Sequence, residues 1–193
     1  MTQQTEYKKW SFVIFVFVAL VAFSILFGDR IRSWKEEKTE TLSAKEEFIQ
    51  NVQPQVDDII NDYDRIWKTH WKETFSGLSD HSVSEVDAYQ AMDDIITEYD
   101  LLINKIDAIE IPDNFTSSQE NKLLIFKQDL QVSCEKRKEA ALKTKDMITL
   151  NYYPASQTET VRSTVNTGDT YLLSAVNSYI KLSAEFGEKA TFD

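Results

Sequence analysis

Four glycines and three prolines in 193 residues leave this chain almost without the punctuation that a sheet protein needs. Turns between strands draw on residues that tolerate or pre-set unusual backbone angles, chiefly Gly, Pro, Asn and Asp. Here no alternating apolar–polar run is bounded by such residues. Long stretches instead repeat their apolar residues every three or four positions, the period of a buried helix face. The expectation is an all-α chain.

Four segments carry that period. Phe48, Val52, Val56, Ile59, Tyr63 and Ile66 mark the first, and Tyr89, Met92, Ile96, Tyr99, Ile103 and Ile106 the second. Leu123, Phe126, Leu130, Cys134, Ala141 and Ile148 mark the third. Val161, Val165, Gly168, Leu172, Ala175, Tyr179, Leu182 and Phe186 mark the fourth. Breaks are expected at Gly77 near Ser79 and Asp80, at Pro112 after Ile111, at Pro154 after Tyr153, and at Gly187. Three Ser-x-x-Glu pairs read as helix starts: Ser82 with Glu85, Ser117 with Glu120 and Ser156 with Glu159. Pro54 marks a kink in a continuous first helix or sits in a first turn, where its missing N–H costs nothing. Together these predict an antiparallel four-helix bundle over residues 43–187, with a short C-terminal tail at 188–193.

Ahead of the bundle lies an apolar run, Phe12 to Phe27, flanked by Lys8, Lys9 and Trp10 on one side and Arg30, Arg32 and Trp34 on the other. Residues 10–28 are long enough for a spanning helix, which needs about 20 apolar residues. Trp10 and Trp34 suit the two interfaces. The bulky residues after the run argue against signal cleavage, so the segment reads as an uncleaved signal anchor. Residues 1–9 form a short polar tail, and residues 29–42 a highly charged, helix-favouring stalk with little apolar stripe, whereas the second and fourth bundle segments carry coiled-coil-like seven-residue repeats. Positive charges after the span favour a cytoplasmic bundle. Long domains cross membranes largely regardless of charge, and an extracytoplasmic bundle on a single-pass anchor is the expectation adopted.

A net charge of −11 excludes the clustered basic surface on which nucleic-acid binding depends. One cysteine, Cys134, rules out an internal disulfide. Two histidines and no Glu-x-x-His pair exclude the di-metal bundle pattern, and no calcium loop, P-loop, dinucleotide fingerprint or Ser–His–Asp signature is present. The expectation is a non-catalytic protein with no metal and no cofactor.

Candidate partner- or ligand-binding residues are Tyr63, Trp67, His70 and Trp71, an aromatic cluster extended by Phe75, together with Arg137. The aromatics exceed what one helix seam requires. Arg137 falls on or beside the seam of Leu130, Cys134 and Ala141, where a guanidinium must find acceptors. An eight-residue echo relates residues 57–64 (DDIINDYD) to 93–100 (DDIITEYD), read as two helices sharing a register and an acidic outer face. The plan of a spanning helix running into a helical bundle is similar to the sensory ectodomains of bacterial chemoreceptors, without a motif that carries over residue by residue. Those receptors add a second membrane helix and a signalling domain, neither of which is seen before Asp193. The leading expectation is a membrane-anchored bundle that binds another protein or a cell-envelope component. The alternative is a sensor-like module that captures a small ligand.

Overall fold

A computed structural model of the protein describes residues 44–80, 82–150 and 152–190. Four helices make up its regular structure: α1 over residues 44–80, α2 over Glu85–Ala108, α3 over Ser117–Leu150 and α4 over Ala155–Glu185. The anchor (10–28), Trp10, Trp34, the polar tail 1–9 and the stalk 29–42 lie outside the described residues. Among the described residues no helix is long and apolar enough to cross a membrane.

Helix α1 runs without interruption through Pro54 because its hydrogen-bond register slips just upstream. Phe48–Val52 is a wider turn, in which the Gln53 N–H reaches back five residues to the Phe48 carbonyl. That slip falls where the prolyl nitrogen would otherwise have left the ladder one donor short. A second wide turn, Trp67–Lys72, lies in the aromatic cluster. It moves the next buried position from the expected one-turn spacing to five residues, from Ile66 to Trp71. All six expected core residues of α1 are buried.

The helix ends differ from their sequence reading by one or two residues. α2 is capped by Ser84, not Ser82: Ser84 accepts from the Asp87 N–H at 3.1 Å. The reason lies in the turn before it. Ser82 and Val83 donate their N–H groups to the Gly77 carbonyl (2.9 and 3.1 Å), which keeps the chain extended until Ser84. Gly77 does not break α1, which continues to Asp80; a Cβ there would sit 2.2 Å from Val83 Cγ2. The box at α3 is Thr116 with Gln119, each side chain serving the other's N–H (3.3 and 2.9 Å), one residue before the predicted Ser117 and Glu120. α4 starts from Pro154, whose extended backbone aims its carbonyl at the N–H groups of Gln157 and Thr158, so Ser156 falls inside the first turn.

Neighbouring helices run in opposite directions. Lys105 of α2 reaches Asp58 and Asp62 of α1 (2.7 and 2.6 Å), while Glu98 meets Arg65 at 2.9 Å. Between α2 and α3, Asp100 pairs with Lys138 and Asp93 with Lys145. Between α3 and α4, Ser178 Oγ donates to the Lys122 carbonyl, and Lys143 donates to Thr164. These solvated pairs fix register more than they stabilise.

Side-chain size sets how closely each pair approaches. Small residues line the α3–α4 seam: Ser133, Ala140, Ala141 and Thr144 on α3 and Thr164, Gly168, Ala175 and Ser178 on α4 are all buried. A Cβ on Gly168 would lie 3.3 Å from the Ser133 carbonyl oxygen. Large rings hold α1 away from α4 instead. Phe48 stacks on Phe186 with centroids 4.6 Å apart and leans on Tyr179, which contacts Phe126 at 5.5 Å. No Cα of residues 48–80 comes within 8 Å of a Cα of Ala155–Glu185, whereas every other neighbouring pair does. In α2 the buried face is Ala88, Met92, Ile95, Tyr99, Leu102 and Ile106. The predicted Tyr89, Ile96 and Ile103 flank it. Both sets share Met92, Tyr99 and Ile106, and the neighbouring helices choose between the two flanks.

Candidate functional site

Of the five candidate residues, Tyr63, Trp67 and Arg137 converge, Trp71 packs beside them, and His70 stands apart. Arg137 projects from α3 across the bundle to the seam between α1 and α4 and stays buried there, its side chain only 4 % exposed. Its Nε donates to the Tyr63 hydroxyl at 3.2 Å, and its Nη2 donates to the Asp169 carboxylate. The guanidinium carbon lies 4.3 Å from the centroid of a Trp67 ring. Tyr63 is linked in turn to Ser133 by a 2.7 Å hydroxyl–hydroxyl hydrogen bond. One guanidinium thus joins three helices through a hydrogen bond, a charge pair and a ring face. Such a cation is held where it would be very costly left bare.

The second wide turn of α1 builds this arrangement. It leaves Trp67 over Arg137 while placing Trp71 in the core, the two rings 6.2 Å apart. His70 points to the other side. Its Nε2 lies 3.1 Å from Glu98, the carboxylate that also receives Arg65. His70 therefore belongs to the α1–α2 ion-pair network, while Tyr63, Trp67 and Arg137 form the polar centre and Trp71 packs beside it.

Three members of the centre were missed from sequence. Asp169 accepts from Arg137, Ser133 shares a hydroxyl–hydroxyl hydrogen bond with Tyr63, and Tyr99 closes the floor with its ring against Tyr63. Asp169 was accessible to reasoning, because antiparallel pairing of α3 with α4 sets it opposite Arg137. Ser133 was not, since nothing separates a buried serine from a surface one by spacing alone. Burial pushes the phenols of Tyr63 and Tyr99 up, and it pushes the Cys134 thiol far above its ordinary value. Cys134 is buried and stays a thiol at neutral pH, a packed apolar group by character.

Two clefts lie elsewhere. One of about 570 Å³ sits where α1 begins and α2 ends, lined by Glu47, Asn51, Gln55, Glu110, Asp113 and Asn114. The other, about 470 Å³, lies between the end of α3 and the start of α4, with Lys143, Asp146, Thr149, Leu150, Gln157 and Thr160 in its wall. Neither is lined by Arg137 or the aromatic candidates. Among the described residues no group of three or more His, Cys, Asp or Glu side chains could hold a metal ion.

The end of the bundle opposite residue 44 carries a concentration of exposed apolar side chains. Val86 and Tyr89 open α2, Leu150 ends α3, and Tyr152 and Tyr153 occupy the connection to α4. Lys145 stands over the Tyr89 ring at 4.4 Å and pairs with Asp93, which draws the α2 and α3 members together. Comparison of the chain with protein-family models, with curated proteins and with solved structures finds no match to any of them.

Proposed function

We propose that this chain is a membrane-anchored, non-catalytic helical-bundle protein that binds another protein or a cell-envelope component. In this reading residues 10–28 span the bilayer once as an uncleaved anchor. The stalk at 29–42 carries the antiparallel bundle away from the surface, on the extracytoplasmic side. The observation that carries the reading is the apolar tip. Val86, Tyr89, Leu150, Tyr152 and Tyr153 gather at the end of the bundle remote from residue 44. Clustered exposed aromatics are what binding hot spots are made of. The internal use of Arg137 supports the same choice over small-ligand capture. Its Nε and Nη2 are taken by Tyr63 and Asp169 and its face by Trp67, although Nη1 has no hydrogen-bond partner among the described residues, and the two clefts described above lie elsewhere.

The test is site-specific photo-crosslinking in intact cells of the source organism, combined with fractionation. A crosslinker at Tyr153 is expected to give a discrete adduct in the membrane fraction, and one at the exposed Gln128 none. Equal labelling at both positions, no adduct at Tyr153, or recovery of the protein outside the membrane fraction would each overturn the proposal.

A further inference from the structure

The side of the bundle between α1 and α4 is its widest seam, and both of its walls are partly apolar. On α4, Asp169, Leu173, Val176 and Ile180 step by four, three and four residues, so they share one stripe. Asp169 fixes where that stripe points, because it meets Arg137 together with Trp67 of α1. On α1 the matching stripe is Asp57, Ile60, Asp64 and Trp67. The stripes oppose each other from Trp67 and Asp169 at one end to Asp57 and Tyr179 at the other, where Asp57 lies close enough to influence the phenol. Leu173 is 70 % exposed, Ile180 44 % and Trp67 36 %, and Ile60 and Val176 are half-buried. Below Tyr179 the seam is closed by Phe48 on Phe186 and by Lys45 with Glu188.

The charges along this seam are one-sided. Asp64 and Asp169 have partners in Lys68 and Arg137, but among the described residues Asp57 meets neither a cation nor a hydrogen-bond partner, and burial raises its pKa. A carboxylate left half-buried without compensation among exposed aliphatic side chains awaits a positive group.

We propose that this seam seats one amphipathic helix of a protein partner, three turns of it in contact, whose apolar stripe lies on Ile60, Trp67, Leu173, Val176 and Ile180 and whose lysine or arginine meets Asp57. A helix is the right shape for three reasons. The walls are two helices, they expose no unpaired strand edge, and the ten residues from Asp57 to Trp67 rise about 15 Å. A second copy of the chain fits poorly. Two-fold pairing would bring this acidic face against itself in a protein of net charge −11. The seam runs along the flank and does not depend on the tip.

The experiment uses the full-length chain in nonionic micelles and two synthetic peptides of one amphipathic pattern. One is built from leucine and lysine, the other from leucine and glutamate, and each carries a photoactivatable group. The lysine peptide is expected to label residues within 57–67 and 169–180, and the glutamate peptide to label neither. Leu173→Glu with Ile180→Glu should weaken labelling at least about tenfold, the loss of one or two good apolar contacts. Both positions are exposed, so circular dichroism and the melting temperature should stay unchanged. Asp57→Asn, which leaves the apolar walls intact, should weaken it several-fold and remove most of its salt dependence. Tyr153→Glu, aimed at the tip, should leave it as it was; loss of labelling there moves the site to the tip and overturns the seam. Labelling mapped elsewhere, equal labelling by both peptides, or chain-to-chain crosslinks through Leu173 would overturn it as well.

Discussion

The rings of Tyr63 and Tyr99 meet edge-on, 5.5 Å apart and inclined at 64°, yet their hydroxyls are treated in opposite ways. Tyr63 shares a hydrogen bond with Ser133 and receives one from Arg137. The Tyr99 hydroxyl is buried and has no partner among the described residues. The two tyrosines are equivalent positions of the 57–64 and 93–100 echo, so the same local sequence has been put to two uses by what faces it.

That contrast predicts unequal effects of one chemical change. Tyr63→Phe removes two hydrogen bonds and loosens Arg137, and should cost about 1–3 kcal/mol. Tyr99→Phe removes only an unsatisfied hydroxyl and should leave stability unchanged or raise it by up to about 1 kcal/mol. Chemical denaturation of the two variants checks this, and a larger loss for Tyr99→Phe would refute the assignment.

Arg137 and Asp169 should respond asymmetrically. Asp169→Ala leaves a buried guanidinium without its counter-charge, at a cost of about 2 kcal/mol once the half-exposure of Asp169 is allowed for. Arg137→Met keeps the stem volume and removes the charge, so it should cost less than Asp169→Ala. Arg137→Ala should cost more than Arg137→Met because packing is lost too. Adding Arg137→Met to Asp169→Ala should then recover much of the damage, a coupling that a double-mutant cycle measures.

Gly77 offers a steric test of the turn between α1 and α2. A methyl group there would overlap Val83, whose Cγ2 and Cβ would lie at 2.2 and 2.8 Å. Gly77→Ala should therefore destabilise by about 1–3 kcal/mol, despite the better helix propensity of alanine. Val83→Ala should relieve most of that penalty. An additive pair of effects would show that the two residues do not meet.

The all-helical architecture was legible because one period persists through each helix. The six core positions predicted for α1 and the six for α3 are all buried. In α4 six of the eight predicted positions are buried, and Val165 and Leu172 are half-buried. In α2 the same reading found one line of the stripe, Met92, Tyr99 and Ile106, and misjudged its flank, as at Tyr89. Apolar residues occupy both flanks there, and only a neighbour can choose between them. Cap positions slipped because Ser-x-x-Glu recurs by chance in a chain rich in both residues, whereas the true starts at Ser84, Thr116 and Pro154 depend on how the preceding turn closes. Arg137 announced itself by lying on an apolar seam. The register slip at Trp67–Lys72 left no sequence signal, and it decides which tryptophan covers that arginine and which one enters the core.

Stability should narrow at both ends of the pH scale for reasons that can be assigned. Burial raises the folded-state pKa of Tyr63, Tyr99, Tyr179 and Cys134. Each disfavours its ionised form in the fold, so the stability these groups contribute is whole below their unfolded values, about 8.5 for cysteine and 10 for tyrosine, and falls as pH rises beyond them. On the acid side the folded pKa of Asp62 and Glu139 is lowered. For Asp62, burial works against that shift and is outweighed by hydrogen bonds and charge from Lys105 and Arg65; for Glu139, Lys136 and Lys143 are responsible. Their contribution is present above the unfolded carboxylate values of about 4 and is lost as pH falls through the folded ones. Asp57 runs the other way: burial raises its pKa, so its charge is a burden at neutral pH that protonation lifts. Asp57→Asn should accordingly raise the melting temperature at pH 7 and have less effect near pH 3. A melting series across pH on the wild type and this variant checks all three limbs, and a lower melting temperature for Asp57→Asn at pH 7 would mean that its carboxylate already has a cation.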